Sequence, residues 1–138
     1  QLLLRYRKGS ILCRLDDEEK IWPRALSICV GCGRFNGNGM MQLPAAHPSD
    51  GLLDVAIIGD ISRWDVILQT PNLYKGTHIR HPKVSTFRGQ HVEVRTDPPS
   101  LLECEGEVYA PENSVKFSIL PRAWKILLPP NAPELFLK

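Results

Sequence analysis

Pro48-Ser49-Asp50-Gly51-Leu52-Leu53-Asp54-Val55-Ala56-Ile57-Ile58 is the stretch that best indicates the fold. Its first four residues are typical of a tight turn, because proline fixes one backbone dihedral and glycine permits a positive φ. The run that follows, Leu52–Ile58, has the length and apolar character of a buried β-strand. The sequence therefore predicts a turn that leads into a strand at the centre of a β-rich core.

Short segments of the same kind occur on both sides of this strand, with turn residues between them. The 12 prolines and 10 glycines lie at their boundaries more often than inside them. We predict a mostly β fold, a sandwich or barrel-like stack of sheets. In it, Lys8-Gly9-Ser10 forms a hairpin turn and Asp16–Lys20 a polar turn. The other predicted strands are Leu2–Arg7, Ile11–Leu15, Ala25–Val30, Val84–Arg88, Val92–Arg95, Leu101–Cys104, Val115–Ile119 and Trp124–Leu128.

One short helix is predicted after the central strand. Ser62 can cap it, and Asp65 stands three residues later in the capping-box position. Pro71 is expected to end its first part, and Gly76 to end any continuation. Ile61, Trp64 and Leu68 share one face, and we expect Trp64, Ile67 and Leu68 to dock the helix onto the sheet.

The length of 138 residues fits one domain, which we place at residues 1–129, with a loosely attached tail at 130–138. The start at Gln1 suggests a piece of a longer protein. No membrane span or leader is recognisable, so we expect a soluble cytoplasmic protein. The 17 basic and 15 acidic residues are too balanced to favour nucleic acid. A basic cluster could face an anionic membrane or form a solvated turn; it comprises Lys75, His78, Arg80, His81 and Lys83.

The four cysteines do not form a recognisable zinc pattern. Cys29 and Cys32 have the spacing of a metal or redox pair, but Cys13 and Cys104 stand alone, whereas a structural zinc site needs two pairs. Cys29 lies in an apolar run, where a cysteine behaves as a small hydrophobic residue. We expect a buried Cys29 thiol and a reducing cytoplasm as the compartment.

Three further stretches carry possible chemistry. The glycine run Gly31–Met40 matches neither nucleotide-binding fingerprint, so we interpret its glycines as sites of chain reversal and close backbone approach. The Asp50 turn could offer oxygen ligands to Mg²⁺, or it could be turn chemistry alone. In a regular strand, Glu103, Glu105 and Glu107 would share one face, where carboxylates disfavour each other's ionisation. Such a cluster can prepare a general base, although a solvated acidic edge has the same pattern.

Taken in order, these motifs resemble the C-terminal domain of the diacylglycerol kinase and sphingosine kinase-like lipid kinases, the bacterial members most closely. The likeness extends from about residue 11 to 129. Two positions depart from the family pattern, since Cys32 stands where asparagine is usual and Glu105 where aspartate is usual. The matching segments are Gly31–Met40, Leu43–Ala46, Asp50–Val55, Leu73–His78, His81–Val84, Glu105–Glu107 and Leu120–Ile126.

The resemblance implies a β-sandwich that packs against a separate N-terminal α/β domain, which binds ATP through a Gly-Gly-Asp-Gly-Thr segment not found in this chain. The intact protein is then an ATP-dependent lipid kinase acting on a diacylglycerol- or sphingoid-like hydroxyl, and this chain alone is expected to be inactive. Peripheral membrane contact and a homodimer are further expectations. The alternative is a non-catalytic β-sandwich that binds lipid or a protein partner.

The resemblance also assigns roles to individual residues. Glu107 becomes the candidate general base that accepts the proton of the lipid hydroxyl. The carbonyl groups of His47 and Leu52, with the carboxylate of Asp50, become a candidate structural Mg²⁺ site.

Overall fold

The computed structural model describes residues 8–123, 125, 127 and 130, and about half of these lie in β-strands. Among the described residues, a single α-helix and one turn of 3-10 helix, Thr77–Arg80, connect the strands of the central region. In chain order the elements are β1 (Gly9–Leu15), β2 (Glu18–Ala25), β3 (Ser27–Gly31), β4 (Leu53–Ile58), α1 (Arg63–Tyr74), β5 (Val84–Gly89), β6 (His91–Cys104) and β7 (Glu107–Ser118).

The strands form two antiparallel sheets whose inner faces share one core. One sheet has the order β2-β1-β6-β7 and the other the order β3-β4-β5. The second sheet supplies Leu53, Val55 and Ile57 to this core, and the first sheet supplies Ile11 and Val92 among others. Side chains that alternate along each strand and meet between two sheets define a β-sandwich. The predicted fold class is therefore confirmed.

The outer face of β4 is covered by the segment that follows the glycine run. Leu43 and Ala46 form a small second cluster with Ala56, and Cys29 packs against it. A Cβ atom on Gly31 would lie 3.3 Å from Cδ1 of Leu43, so glycine allows this close approach. Since both faces of β4 are covered, its first five residues are all buried.

The first hairpin is displaced from its predicted position. Gly9 and Ser10 lie inside β1 and not in a turn, because Gly9 lets β6 come close: a Cβ there would lie 2.8 Å from the Asp97 carbonyl oxygen. Of the predicted polar turn Asp16–Lys20, Asp16 and Asp17 form the turn between β1 and β2, whereas Glu18–Lys20 already belong to β2. The carboxylate of Asp16 accepts the backbone N–H of His91 at 2.9 Å, which ties this turn to the start of β6.

Two other strand predictions need correction. The apolar run predicted as one strand, Ala25–Val30, is divided between the sheets, since Ala25 ends β2 and Ser27 begins β3. Conversely, Val92–Arg95 and Leu101–Cys104 belong to one long strand, β6. The predicted strands at 2–7 and 124–128 and the predicted tail at 130–138 lie wholly or mostly outside the described residues.

The helix begins as predicted but does not bury the predicted face. Ser62 and Asp65 form the capping box, and Gly76 adopts the left-handed conformation beyond its end. Pro71 does not interrupt it, since the Lys75 N–H donates to the Pro71 carbonyl and the helix continues past the proline. Trp64, Ile67 and Leu68, expected to dock on the sheet, are instead 76%, 56% and 69% exposed.

Candidate functional site

The three glutamates of the predicted acidic cluster lie at the tip of a long hairpin formed by β6 and β7. Its outer part, residues 97–112, contains no buried residue, and we call it the arm. Cys104 pairs with Glu107, which leaves Glu105 and Gly106 as a two-residue turn with φ values of 51° and 88°. Positive φ at both positions matches the twist of paired strands, and Gly106 adopts such a value without strain.

This turn contradicts the prediction that Glu103, Glu105 and Glu107 share one face. They would do so in one continuous strand, but Glu105 lies in the turn and the other two lie on opposite strands. Glu103 is paired with Val108, one register step from the Cys104–Glu107 pair, so Glu103 and Glu107 point to opposite faces of the ribbon. The alternating pattern of acids spans a hairpin turn, and an alternation of this kind does not by itself reveal where a strand reverses.

Each face of the arm tip has its own contacts. Glu103 accepts the Gly106 N–H at 3.2 Å, which stabilises the turn. The Tyr109 hydroxyl donates to Glu107 Oε2 at 3.4 Å. Burial, and more weakly the nearby charge of Glu103, raises the pKa of the Cys29 thiol to about 11. Glu103 and Glu107 are both exposed, and they lie on opposite faces of the arm.

The Asp50 turn has the predicted shape, with an arginine bound to it. The Asp50 N–H donates to the His47 carbonyl at 3.3 Å, and Oδ1 of Asp50 accepts the Leu52 N–H at 2.9 Å. The other carboxylate oxygen, Oδ2, accepts a hydrogen bond from the guanidinium group of Arg88 on β5. The three predicted ligand residues are thus close together, and a fixed cation already lies against the carboxylate.

Arg88 also binds a second carboxylate, to which the sequence analysis assigned no role. Its Nε lies 3.1 Å from Oδ1 of Asp54, a residue of β4 that is only 4% exposed. Oδ2 of Asp54 is buried without a hydrogen-bond partner among the described residues. Burial raises the pKa of Asp54, and the opposing effect of Arg88 is not enough to cancel it. The feature of the sequence that could have indicated this ion pair is an aspartate inside an apolar strand.

The residues at this turn fit a magnesium ion only in part. Carbonyl and carboxylate oxygens are the ligands that Mg²⁺ prefers, and His47, Asp50 and Leu52 offer them. Arg88 already neutralises Asp50, however, so a bound ion would have to share the carboxylate with the guanidinium group or displace it. Within the described part of the chain, no three His, Cys, Asp or Glu side chains are grouped so that they could hold a metal ion.

The predicted basic cluster separates into surface and interior residues. His78 is buried in the 3-10 helix, and burial lowers its pKa. Lys75, Arg80 and Lys83 are exposed. The surface charge of this region therefore comes from lysine and arginine. None of the described helices is long and apolar enough to cross a bilayer.

Comparison with known proteins places this architecture in a family. The family model of the YegS C-terminal NAD kinase beta sandwich-like domain matches residues 1–128. The chain belongs to this family. It is therefore the C-terminal domain of the YegS and diacylglycerol kinase-like lipid kinases, as the ordered motifs indicate.

Individual relatives agree with the family assignment. A diacylglycerol kinase of Mycobacterium tuberculosis (strain H37Rv) is 31% identical over 115 residues, which are 83% of this chain and 37% of that protein. The "Probable lipid kinase YegS-like" protein of Shewanella frigidimarina is 29% identical over 72% of this chain and 31% of its own length. The chain therefore spans about a third of the length of these relatives.

Solved structures support the fold alone. The crystal structure of a candidate diacylglycerol kinase from Bacillus anthracis str. Sterne superposes with a TM-score of 0.68 over 85% of this chain and 37% of that one. Its sequence identity is 14%, so the likeness concerns architecture and not individual side chains.

Proposed function

We propose that this chain is the lipid-binding and base-contributing half of an ATP-dependent lipid kinase. Family membership supports this proposal, together with the names of the relatives. The intact protein transfers the γ-phosphoryl group of ATP to the hydroxyl of a diacylglycerol- or sphingoid-like lipid. Phosphoryl transfer depends mainly on positioning and charge neutralisation, so two domains can divide the work across a cleft.

The exposed arm is the observation that carries the two-domain proposal. Leu101 and Val108 are each 68% exposed and Tyr109 is 48% exposed, although they belong to paired strands. A two-stranded ribbon without a covered face is marginally stable in water. We therefore propose that the arm packs against the N-terminal ATP-binding domain and brings Glu107 to the cleft.

In this arrangement Glu107 is the general base. Its carboxylate is exposed on one face of the arm, and a Cβ atom added to the adjacent Gly106 would have no other atom within 4 Å, so a substrate has room to approach. Tyr109 donates a hydrogen bond to Oε2, which leaves Oε1 available to accept the proton of the lipid hydroxyl. General-base catalysis of this kind commonly contributes about 10²–10⁴ in rate.

The decisive experiment compares Glu107→Gln with Glu112→Gln in the intact protein. Both are exposed glutamates of the arm, and only Glu107 has a proposed chemical role. With ATP and either diacylglycerol or sphingosine in detergent micelles, kcat of Glu107→Gln should fall by about 10²–10⁴, and Glu112→Gln should remain near wild type. Equal activity of the two variants, both folded by circular dichroism, would reject the assigned base.

The chain by itself should not phosphorylate lipid, because the triphosphate site belongs to the other domain. Incubation of the 138-residue chain with radiolabelled ATP and mixed lipids should leave the lipid fraction unlabelled. Labelling well above the blank would overturn the two-domain proposal and require an ATP site within this sandwich.

We further propose that Mg²⁺ binds weakly at the Asp50 turn, through the carbonyls of His47 and Leu52 and the Asp50 carboxylate, in competition with Arg88. A ligand that binds only the folded state raises its stability in proportion to RT ln(1 + [L]/Kd). Millimolar Mg²⁺ should therefore raise the melting temperature of wild type more than that of Asp50→Asn. Equal shifts in the melting temperatures of the two proteins would show that Mg²⁺ does not bind through Asp50, and that Arg88 alone pairs with this carboxylate.

A further inference from the structure

The outer side of α1 carries an apolar surface that nothing in the described chain covers. Trp64, Ile67, Leu68 and Pro71 follow one another at helical spacing on one face, and we call them the α1 stripe. All four are exposed. The opposite side, which is partly buried, consists of Asp65, Val66, Gln69, Asn72 and Leu73. The helix therefore turns a mixed side, which includes Val66 and Leu73, to the protein, and the α1 stripe faces outwards.

The helix is held at its ends, so this orientation does not depend on the stripe. The capping box of Ser62 and Asp65 fixes its start. Gly76, just beyond its end, lies against the segment over β4: a Cβ atom there would be 2.5 Å from Sδ of Met41. The stripe is consequently free for a partner while the fold stays intact.

Cations lie near both ends of the stripe. Lys75 caps the end of the helix, and the carbonyl of Lys83 accepts the Gly59 N–H at 2.8 Å, shortly before its start. With Arg80 between them in sequence, these side chains are exposed, and none forms an ion pair with the described residues. Residues 60–83 contain four Lys or Arg and two Asp, and one of these acids, Asp60, already pairs with Lys8 and Arg24.

We propose that the α1 stripe is a membrane-docking surface, whose partner is a bilayer containing anionic phospholipid. A helix with tryptophan and aliphatic residues on one face and cations beside it lies in the headgroup region, with its apolar side chains buried in the acyl boundary. Exposed lysine and arginine near that plane are attracted by the negative surface potential. Charge complementarity thus argues for this occupant. A second copy docked through the same stripe would bring like charges together.

The proposal deepens the proposed function, since a kinase for membrane lipids has to reach the bilayer. Its test can nevertheless fail separately, because it needs neither nucleotide nor substrate lipid. The intact protein is sedimented with vesicles of phosphatidylcholine alone and of a phosphatidylcholine–phosphatidylserine mixture. Wild type should bind the mixed vesicles in preference.

Two sets of variants examine the two parts of the surface. Trp64→Ser/Leu68→Ser should reduce affinity for the mixed vesicles about tenfold or more. The matched control, Ile21→Ser, removes an apolar side chain of β2 that is 62% exposed, and it should bind like wild type. Lys75→Gln and Lys83→Gln should each lower affinity for the mixed vesicles about fivefold and leave binding to phosphatidylcholine alone unchanged.

Melting temperature and oligomeric state distinguish the other occupants. Weaker vesicle binding by the stripe variant at an unchanged melting temperature supports the proposal. Unchanged vesicle binding overturns it. A lower melting temperature with unchanged vesicle binding also overturns it and assigns the stripe to a contact with the rest of the protein. Dissociation of a dimer by the same variant, again with unchanged vesicle binding, assigns it to a second copy. If the stripe variant fails to fold, vesicle binding by the two lysine variants tests the proposal, and unchanged binding by both overturns it.

Discussion

β4 and α1 are separated by only four residues, yet they relate to the core in opposite ways. β4 buries its first five residues between two layers, whereas α1 buries none. Both segments have the apolar spacing of their class of secondary structure. The spacing identifies a strand or a helix and its apolar face, but which face is covered depends on distant residues such as Leu43 and Ala46 over β4.

The largest expected effect is a difference in stability between two isoleucines. Ile57 is fully buried, and Ile57→Ala should lower the free energy of unfolding by about 2–5 kcal/mol. Ile67 is 56% exposed, so Ile67→Ala should change it by no more than about 0.5 kcal/mol. Denaturant midpoints of the two variants measure the difference directly. Comparable losses would show that α1 is packed as tightly as β4.

Much of the fold could be predicted from local sequence, because its signals are short in range. The Pro48–Gly51 turn, strand β4 and the Ser62–Asp65 capping box each depend on a few adjacent residues. The turn of the arm was harder to predict from the sequence, because Glu105 has a positive φ although it is not a glycine. The pairing of Arg88 with Asp50 and Asp54 joins residues more than 30 positions apart, and spacing within one strand cannot reveal it.

The next test concerns the end of α1, because Gly76 packs against Met41 whereas the α1 stripe is exposed. Alanine there would be strained at φ 69° and would also collide with Met41, so Gly76→Ala should cost about 1–3 kcal/mol. Gly39 has a φ of 85° with no atom within 4 Å of an added Cβ, so Gly39→Ala isolates the backbone cost. Urea unfolding should place Gly76→Ala clearly below Gly39→Ala. Equal urea midpoints of the two variants would show that the Met41 side chain moves aside at little cost in stability.

The start of α1 should respond more weakly. Ser62→Ala removes the acceptor for the Asp65 N–H, which lies 3.1 Å from the serine hydroxyl, and loss of such a cap typically costs about 1 kcal/mol. Because α1 is anchored at its ends, helical circular dichroism should fall with stability. Ser62→Thr, which keeps the hydroxyl, should behave nearly like wild type. A full loss in the threonine variant would show that packing of Ser62 matters more than its hydrogen bond.

The smallest effect is a contrast in pH dependence between a carboxylate inside β4 and one just before α1. Burial, which Arg88 only partly offsets, raises the pKa of Asp54, so the folded protein holds this proton at higher pH than the unfolded chain does. Between the usual value of about 3.9 and the raised one, the folded state binds more protons, and stability should increase as pH falls.

The pKa of Asp60 is shifted in the opposite direction, because the hydrogen bond from Lys8 lowers it. Its contribution is present above about pH 3.9 and is lost as pH falls through the lowered value. Relative to Asp54→Asn, wild type should therefore gain stability on mild acidification, and relative to Asp60→Asn it should lose stability at lower pH. Parallel profiles for wild type and Asp54→Asn would show that Arg88 fully compensates the burial of Asp54, and that β4 tolerates this charge as easily as the surface does.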